Sequence, residues 1–180
     1  MGSAGDALPE GVAEELRAKA EGLGRAVAAR GCVALTGGTT GLPHLVGAAA
    51  QRAGALHVGV SPGEDGREHT GRYGLPVEGT DLLIYTGFGL KGRNVVLVRS
   101  CDVVIIFRGG MGTLNELTIA HDEGRVVGCL TGTGGVADEA ERLVQTLRKK
   151  TRAAVLFDDD PARLLDKCLG ELKSFRHEGG

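Results

Sequence analysis

The stretch Val103-Val104-Ile105-Ile106-Phe107-Arg108-Gly109-Gly110-Met111-Gly112-Thr113-Leu114-Asn115-Glu116 runs from an apolar segment into three glycines within four residues. Leu114, Leu117, Ile119 and Ala120 then recur at helical spacing. The order is strand, tight turn, helix. Glycines in such a turn let the backbone take positive φ and present its N–H groups to an anion, with the positive end of the helix behind them. A phosphate is the expected guest. No lysine follows as in a P-loop, and the third glycine comes too early for the dinucleotide fingerprint. A plainer reading makes the same residues a capping box, Thr113 capping the helix while Glu116 reaches back to it.

Two further glycine turns have the same context. Cys32 to Leu35 reads as a buried strand, followed by Thr36-Gly37-Gly38-Thr39-Thr40-Gly41-Leu42-Pro43 and an alanine-rich helix to about Ala53. Pro43 suits a first helical turn, where a missing N–H costs nothing. Arg125 to Leu130 reads as another strand, followed by Thr131-Gly132-Thr133-Gly134-Gly135 and a helix from about Ala137 to Lys150, whose end Lys149, Lys150 and Arg152 would complement. Ligands of open α/β sheets bind at such strand ends, so all three turns point to a ligand. The structural alternative is that glycine there merely permits close packing of helix on sheet.

The other segments alternate in the same way. Met1-Gly2-Ser3-Ala4-Gly5 leads to Pro9 and a helix with Val12, Leu16, Leu23 and Val27 on one face, closing at Gly31. A glycine-serine turn normally follows a strand, so a first strand is truncated, or the sheet is built without it, or residues 1–5 are a flexible leader. Leu56 to Val60 forms a strand, and residues 61–80 a long loop carrying Glu64, Asp65, Arg67, Glu68, His69 and Arg72. Loops of that length are usually functional or mobile, while such mixed charges are mostly solvated. Leu82 to Tyr85 is a strand and Arg93 to Arg99 a short helix, with Arg93 and Asn94 in its first turn, where a cation opposes the dipole. Ala153 to Phe157 is the last strand. Asp160-Pro161 opens the last helix as N-cap and first residue, and the residues after Phe175 read as a frayed tail. The expected fold is α/β, a doubly wound parallel sheet in a Rossmann-like three-layer α/β/α arrangement. One nucleotide-binding domain would span residues 1–175, with 176–180 disordered.

Bulk properties narrow the function. A chain of 180 residues can bury one core of its own. It has no run of 18 apolar residues and no signal peptide, so a cytoplasmic protein without a membrane partner is expected. A net charge of -2 with mixed signs offers no basic surface to a nucleic-acid polymer. Cys32, Cys101, Cys129 and Cys168 lack CxxC spacing and read as small buried hydrophobes. The five histidines form no ligand pair, so no metal site is expected.

Gly109, Gly110, Gly112, Thr113 and Glu116 match the PGGxGTxxE motif of the Lonely Guy family, long labelled "lysine decarboxylase-like" and known as cytokinin-activating phosphoribohydrolases. The chain resembles that family over nearly its whole length, most closely its uncharacterised bacterial branch of Rossmann-fold nucleotide-binding proteins. Arg108 stands where the motif has proline. Gly37, Gly38 and Gly41 fall in a segment similar to the family's GGGxxGLM, with Thr36 and Pro43 as departures. Arg93 precedes Asp102 by nine residues, the spacing of the family's catalytic arginine, although Gly92 and Asn94 replace its usual Glu and Lys neighbours.

The resemblance implies hydrolysis of the N-glycosidic bond of a nucleoside 5'-monophosphate such as AMP, giving free base and ribose 5-phosphate with no metal and no cofactor. Gly37, Gly38, Gly41, Arg108, Gly109, Gly110, Gly112 and Thr113 would hold the nucleotide and its phosphate. Glu116 would be the carboxylate near the anomeric carbon, and Arg93 the cation that steadies it. The resemblance also implies a homodimer. The departures at Arg108 and beside Arg93 leave a second class open, a non-catalytic nucleotide or molybdenum-cofactor carrier of the same fold. Lysine decarboxylation is set aside, since no lysine lies in a recognisable pyridoxal phosphate context.

Overall fold

The computed structural model describes residues 10–147 and 149–177; the expectations about residues 1–5 and 178–180 lie outside the described residues. The elements are α1 (Glu10–Ala29), β1 (Ala34–Thr36), α2 (Leu42–Arg52), β2 (His57–Ser61), a π-helical turn (Glu68–Arg72), β3 (Leu82–Tyr85), α3 (Gly89–Arg99), β4 (Val103–Phe107), α4 (Met111–Asp122), β5 (Val126–Leu130), α5 (Val136–Leu147), β6 (Ala154–Asp158) and α6 (Pro161–His177). Parallel strands alternate with helices throughout, so the fold is α/β and Rossmann-like. The chain divides into two compact units, one ending at Leu97 and the other beginning at Val98.

In the first unit the parallel order is β1-β2-β3, with Ala34 beside His57 and Val58 beside Leu82. The middle strand, β2, is buried along its whole length, as a parallel strand covered on both faces must be. α1 buries Leu16, Ala20 and Leu23 on one face, four and three residues apart. Gly24 on that face lets α1 approach α2 closely, because a Cβ there would strike the Val46 carbonyl and Ala49.

The second unit has the parallel order β4-β5-β6, with Val103 beside Val126 and Val126 beside Ala154. Val104 and Ile106 of β4 and Val127 and Cys129 of β5 share one core with Leu117 and Ala120 of α4 and Ala137 and Ala140 of α5. The alternation follows from the two-residue period of a strand, and the alanines let the helices lie close. On β5, Gly128 opens space for Cys168 and Leu164 of α6, both fully buried. The four cysteines are free thiols, with Cys129 and Cys168 buried and Cys32 and Cys101 half-buried. Burial pushes Cys129 and Cys168 up to about 12 and Cys101 up to about 11, so they remain protonated and inert.

Several local expectations need correction. α3 begins at Gly89, four residues before Arg93, because the glycine turn after β3 opens straight into helix. Lys149 pairs with Asp122 of α4 at 2.7 Å, and Arg152 lies over the Phe175 ring of α6 at 5.3 Å. Their partners are therefore on neighbouring helices and not at the end of α5. α6 stays helical through His177, so the tail does not begin after Phe175. Asp160 does cap α6, its carboxylate accepting the Arg163 N–H at 2.8 Å.

The α1–α2 contact supplies a test. Gly24→Ala should lower the unfolding free energy by about 1–3 kcal/mol, the usual cost of overpacking, even though alanine is the better helix former. Urea unfolding of wild type and variant measures it.

Candidate functional site

In the first unit the site candidates gather around the turn from β1 into α2. Gly38 and Gly41 have φ of +59° and +76°, conformations that favour glycine. Gly41 is the N-cap of α2, no side chain caps the helix, and proline occupies its first turn. Gly37 is glycine for a different reason. A Cβ there would fall on the guanidinium of Arg93, which packs directly against the turn and is only 7% exposed. Arg93 lies beyond the first turn of α3, so the dipole argument made from the sequence does not apply to it; the effect fades within one turn.

A buried relay fastens this turn. The Thr36 hydroxyl is 2.9 Å from His57 Nε2, while His57 Nδ1 faces the Gly79 carbonyl. A carbonyl only accepts, so Nδ1 carries the proton and Nε2 accepts from Thr36. The same hydroxyl accepts the Gly38 N–H at 3.3 Å. Burial pushes the His57 imidazole below its ordinary value, against the Gly79 hydrogen bond that favours its charged form. The arrangement repeats at the end of β2. Ser61 Oγ is 2.9 Å from His69 Nδ1, His69 Nε2 is 3.0 Å from the Pro76 carbonyl, and Ser61 Oγ accepts the Gly63 N–H at 3.1 Å. The 61–80 segment is thus built around a fully buried histidine.

In the second unit the candidates line the turn from β4 into α4. Among the described residues, Arg108 is the one non-glycine with positive φ, at +52°, and Gly109 follows at +90°. Gly109 is pressed on Thr113, where a Cβ would collide with the threonine side chain. Gly110 is the N-cap of α4, and no side chain caps it. The helix starts at Met111, so Gly112 and Thr113 lie inside its first turn and the capping-box reading fails. Thr113 is 3% and Glu116 6% exposed.

The turn is locked to the one after β5. The Arg108 N–H donates to Thr133 Oγ1 at 2.9 Å, and the Val136 and Ala137 N–H groups donate to the Gly109 and Arg108 carbonyls at 3.0 Å. Thr133 in turn donates its hydroxyl to the Leu130 carbonyl at 2.7 Å. Arg108 Nη1 reaches the Thr133 carbonyl at 3.4 Å, which lays the guanidinium along the second turn.

The third glycine turn overturns an expectation. Its Gly132 and Gly134 N–H groups donate to the two carboxylate oxygens of Asp138, each at 2.8 Å. That turn already holds an anion, supplied by the chain. An acid placed three residues into a helix after a glycine turn was a legible signal for Asp138. Thr36 and Ser61, each with a glycine two residues on, were similarly visible; their histidine partners, 21 and 8 residues away, were not.

Residues 1–165 match the family model LDcluster4, described as the SLOG cluster4 family. The chain belongs to the SLOG cluster4 family. The Lonely Guy resemblance therefore holds at the level of the SLOG superfamily, to which Lonely Guy enzymes and molybdenum cofactor carriers are related. An uncharacterized protein of Archaeoglobus fulgidus is 32% identical over 108 residues, which span 60% of this chain and 66% of that protein's length. Among solved structures, this SLOG protein is similar to TM1055, a structural genomics target, with TM-score 0.78 and 26% identity over 95% of this chain and 96% of the other. It is also similar to the Moco carrier protein from Chlamydomonas reinhardtii, with TM-score 0.73 and 27% identity over 95% of each chain. The molybdenum cofactor binding protein from the phototrophic bacterium Rippkaea orientalis gives TM-score 0.71 and 26% identity over 97% of this chain and 93% of the other. No helix among the described residues is long and apolar enough to cross a membrane.

Two tests follow from this geometry. Proline can neither take φ of +52° nor donate to Thr133, so Arg108→Pro should cost about 3 kcal/mol or more, while Arg108→Gly stays within about 1 kcal/mol of wild type in urea unfolding. Because the folded His57 is harder to protonate than the unfolded one, stability should be full above about pH 6.5 and fall as the pH drops below it. Unfolding between pH 7.5 and 5 measures this, and His57→Gln should flatten the slope.

Proposed function

We propose that this SLOG protein is a non-catalytic binding or carrier protein for a phosphate-bearing, nucleotide-like ligand of the molybdenum-cofactor or nucleoside-monophosphate class. Its β4–α4 turn would hold the ligand's phosphate, and the β1–α2 turn is a separate candidate anion site in the other unit. The observation that carries this reading is the contrast among the three glycine turns. The one after β5 has its own carboxylate, whereas the other two end in glycine N-caps with no side-chain cap. N–H groups at the start of a helix lack partners within it and are oriented for an anion. The likeness to a molybdenum cofactor binding protein and a Moco carrier protein supports the same reading.

In this reading Gly109, Gly110, Gly112 and Thr113 hold the phosphate, with Arg108 as the neighbouring cation. Gly37, Gly38, Gly41 and Arg93 are the nucleotide-binding candidates of the first unit. On a molybdenum-bearing cargo the grip would be on its phosphate, through the β4–α4 turn.

One observation favours a second reading, N-glycosidic hydrolysis of a nucleoside 5'-monophosphate. Glu116 and Arg93 are both ionisable and both more than nine-tenths buried, as a general base and a positioning cation often are. Glu116 would activate water or stabilise positive charge at the anomeric carbon, and Arg93 would steady the ligand.

Incubation of the purified protein with AMP or with isolated molybdenum cofactor, followed by calorimetry and chromatography, separates the readings. A carrier returns its ligand intact. Thr113→Val and Arg108→Ala should each weaken binding by roughly tenfold, and Glu116→Gln by less than about threefold. Release of free base and ribose 5-phosphate that Arg93→Ala and Glu116→Gln both lose would establish the hydrolase instead.

A further inference from the structure

The β5–α5 turn is built as an anion site. Gly132, Gly134 and Gly135 have φ of +69°, +78° and +62°, and two of their N–H groups converge on the two oxygens of a single carboxylate. Successive backbone N–H groups in such turns make the concavities that take phosphates. Arg108 reinforces the match, since its Nη1 lies 3.3 Å from where a Gly134 Cβ would stand. The occupant is Asp138, the third residue of α5, whose tether keeps it at high effective concentration in the turn.

This turn is the immediate neighbour of the proposed phosphate turn. β4 and β5 are paired to their ends, Phe107 beside Leu130, and the hydrogen bonds from Arg108, Val136 and Ala137 join the two turns directly. A ligand with one phosphate uses the β4–α4 turn alone. A ligand with two would seek a second set of N–H donors, and the adjacent set is filled by a fixed negative charge.

We propose that Asp138 is a specificity-determining residue that restricts the ligand to a phosphate monoester and excludes diphosphates and dinucleotides. The inference rests on the reading that a phosphate occupies the β4–α4 turn. The carboxylate acts in two ways. It satisfies the donors that a second phosphate would need, and it repels that phosphate at short range. Asp138 itself touches neither the ligand nor the first phosphate in this scheme.

The test is calorimetric titration of the full chain with AMP and with ADP, for wild type, Asp138→Asn and Asp138→Ser, with thermal unfolding to establish that each variant is folded. The wild type should bind AMP at least about tenfold more tightly than ADP. Either variant should raise ADP affinity by roughly tenfold, the effect of freeing a charge-assisted pair of donors, while AMP affinity changes by less than about threefold. Equal wild-type affinities for AMP and ADP would overturn the proposal even if neither variant folds. So would a folded variant that keeps the wild-type preference, and in both cases the phosphate reading survives. A wild type that binds neither nucleotide overturns this inference, and the phosphate reading is then decided separately by the titration with isolated molybdenum cofactor.

Discussion

A turn that follows a parallel strand leaves backbone N–H groups that must find acceptors, and the way each turn meets that demand shapes everything near the candidate sites. After β1 and β2, a strand-end hydroxyl accepts a glycine N–H and donates its own hydrogen bond to a buried histidine. After β4, the turn is held by Thr133 and by the first residues of α5. After β5, Asp138 supplies the acceptor. The glycine N-caps of α2 and α4, which no side chain caps, stand apart from these solutions, and the proposed reading assigns a ligand's anion to them.

The fastening has a consequence for binding. A turn whose φ angles are held by hydrogen bonds to a neighbouring strand does not have to be ordered by its ligand, so more of the interaction energy appears as affinity. Arg108 shows the same economy in a strained residue. Its left-handed backbone is maintained by Thr133 from one side and by the Ala137 N–H from the other, and this directs its side chain along the β5–α5 turn. Holding a ligand in a rigid cradle and reacting with it are different tasks. Rigid glycine turns serve the first directly, whereas the second also requires the buried Glu116 to reach the scissile bond.

Burial of ionisable groups is concentrated in few places. Arg93, Glu116, His57 and His69 are all buried, yet their settings differ. The histidines have both ring nitrogens engaged by neutral partners and hold turns in place. Arg93 lies on a glycine that exists to make room for it. Under the proposed reading, Arg93 serves the ligand at the turn it packs against.

Much of this was legible in the residues themselves. Apolar runs of four or five residues, glycine clusters at their ends and apolar spacing of three and four give the alternation of strand and helix, because these patterns report local geometry and burial. The same local signals marked Gly37, Gly38, Gly41 and the Arg108 to Thr113 turn, and they placed Asp160 as a cap. What they could not convey was which acceptor each turn would find. The pairing of Thr36 with His57, the locking of Arg108 by Thr133 and the contact of Arg93 with Gly37 each join residues far apart in sequence. Local sequence determined the elements and the location of the turns. Tertiary structure alone decided which turns were already satisfied, because that depends on which side chains the folded strands bring within hydrogen-bond reach.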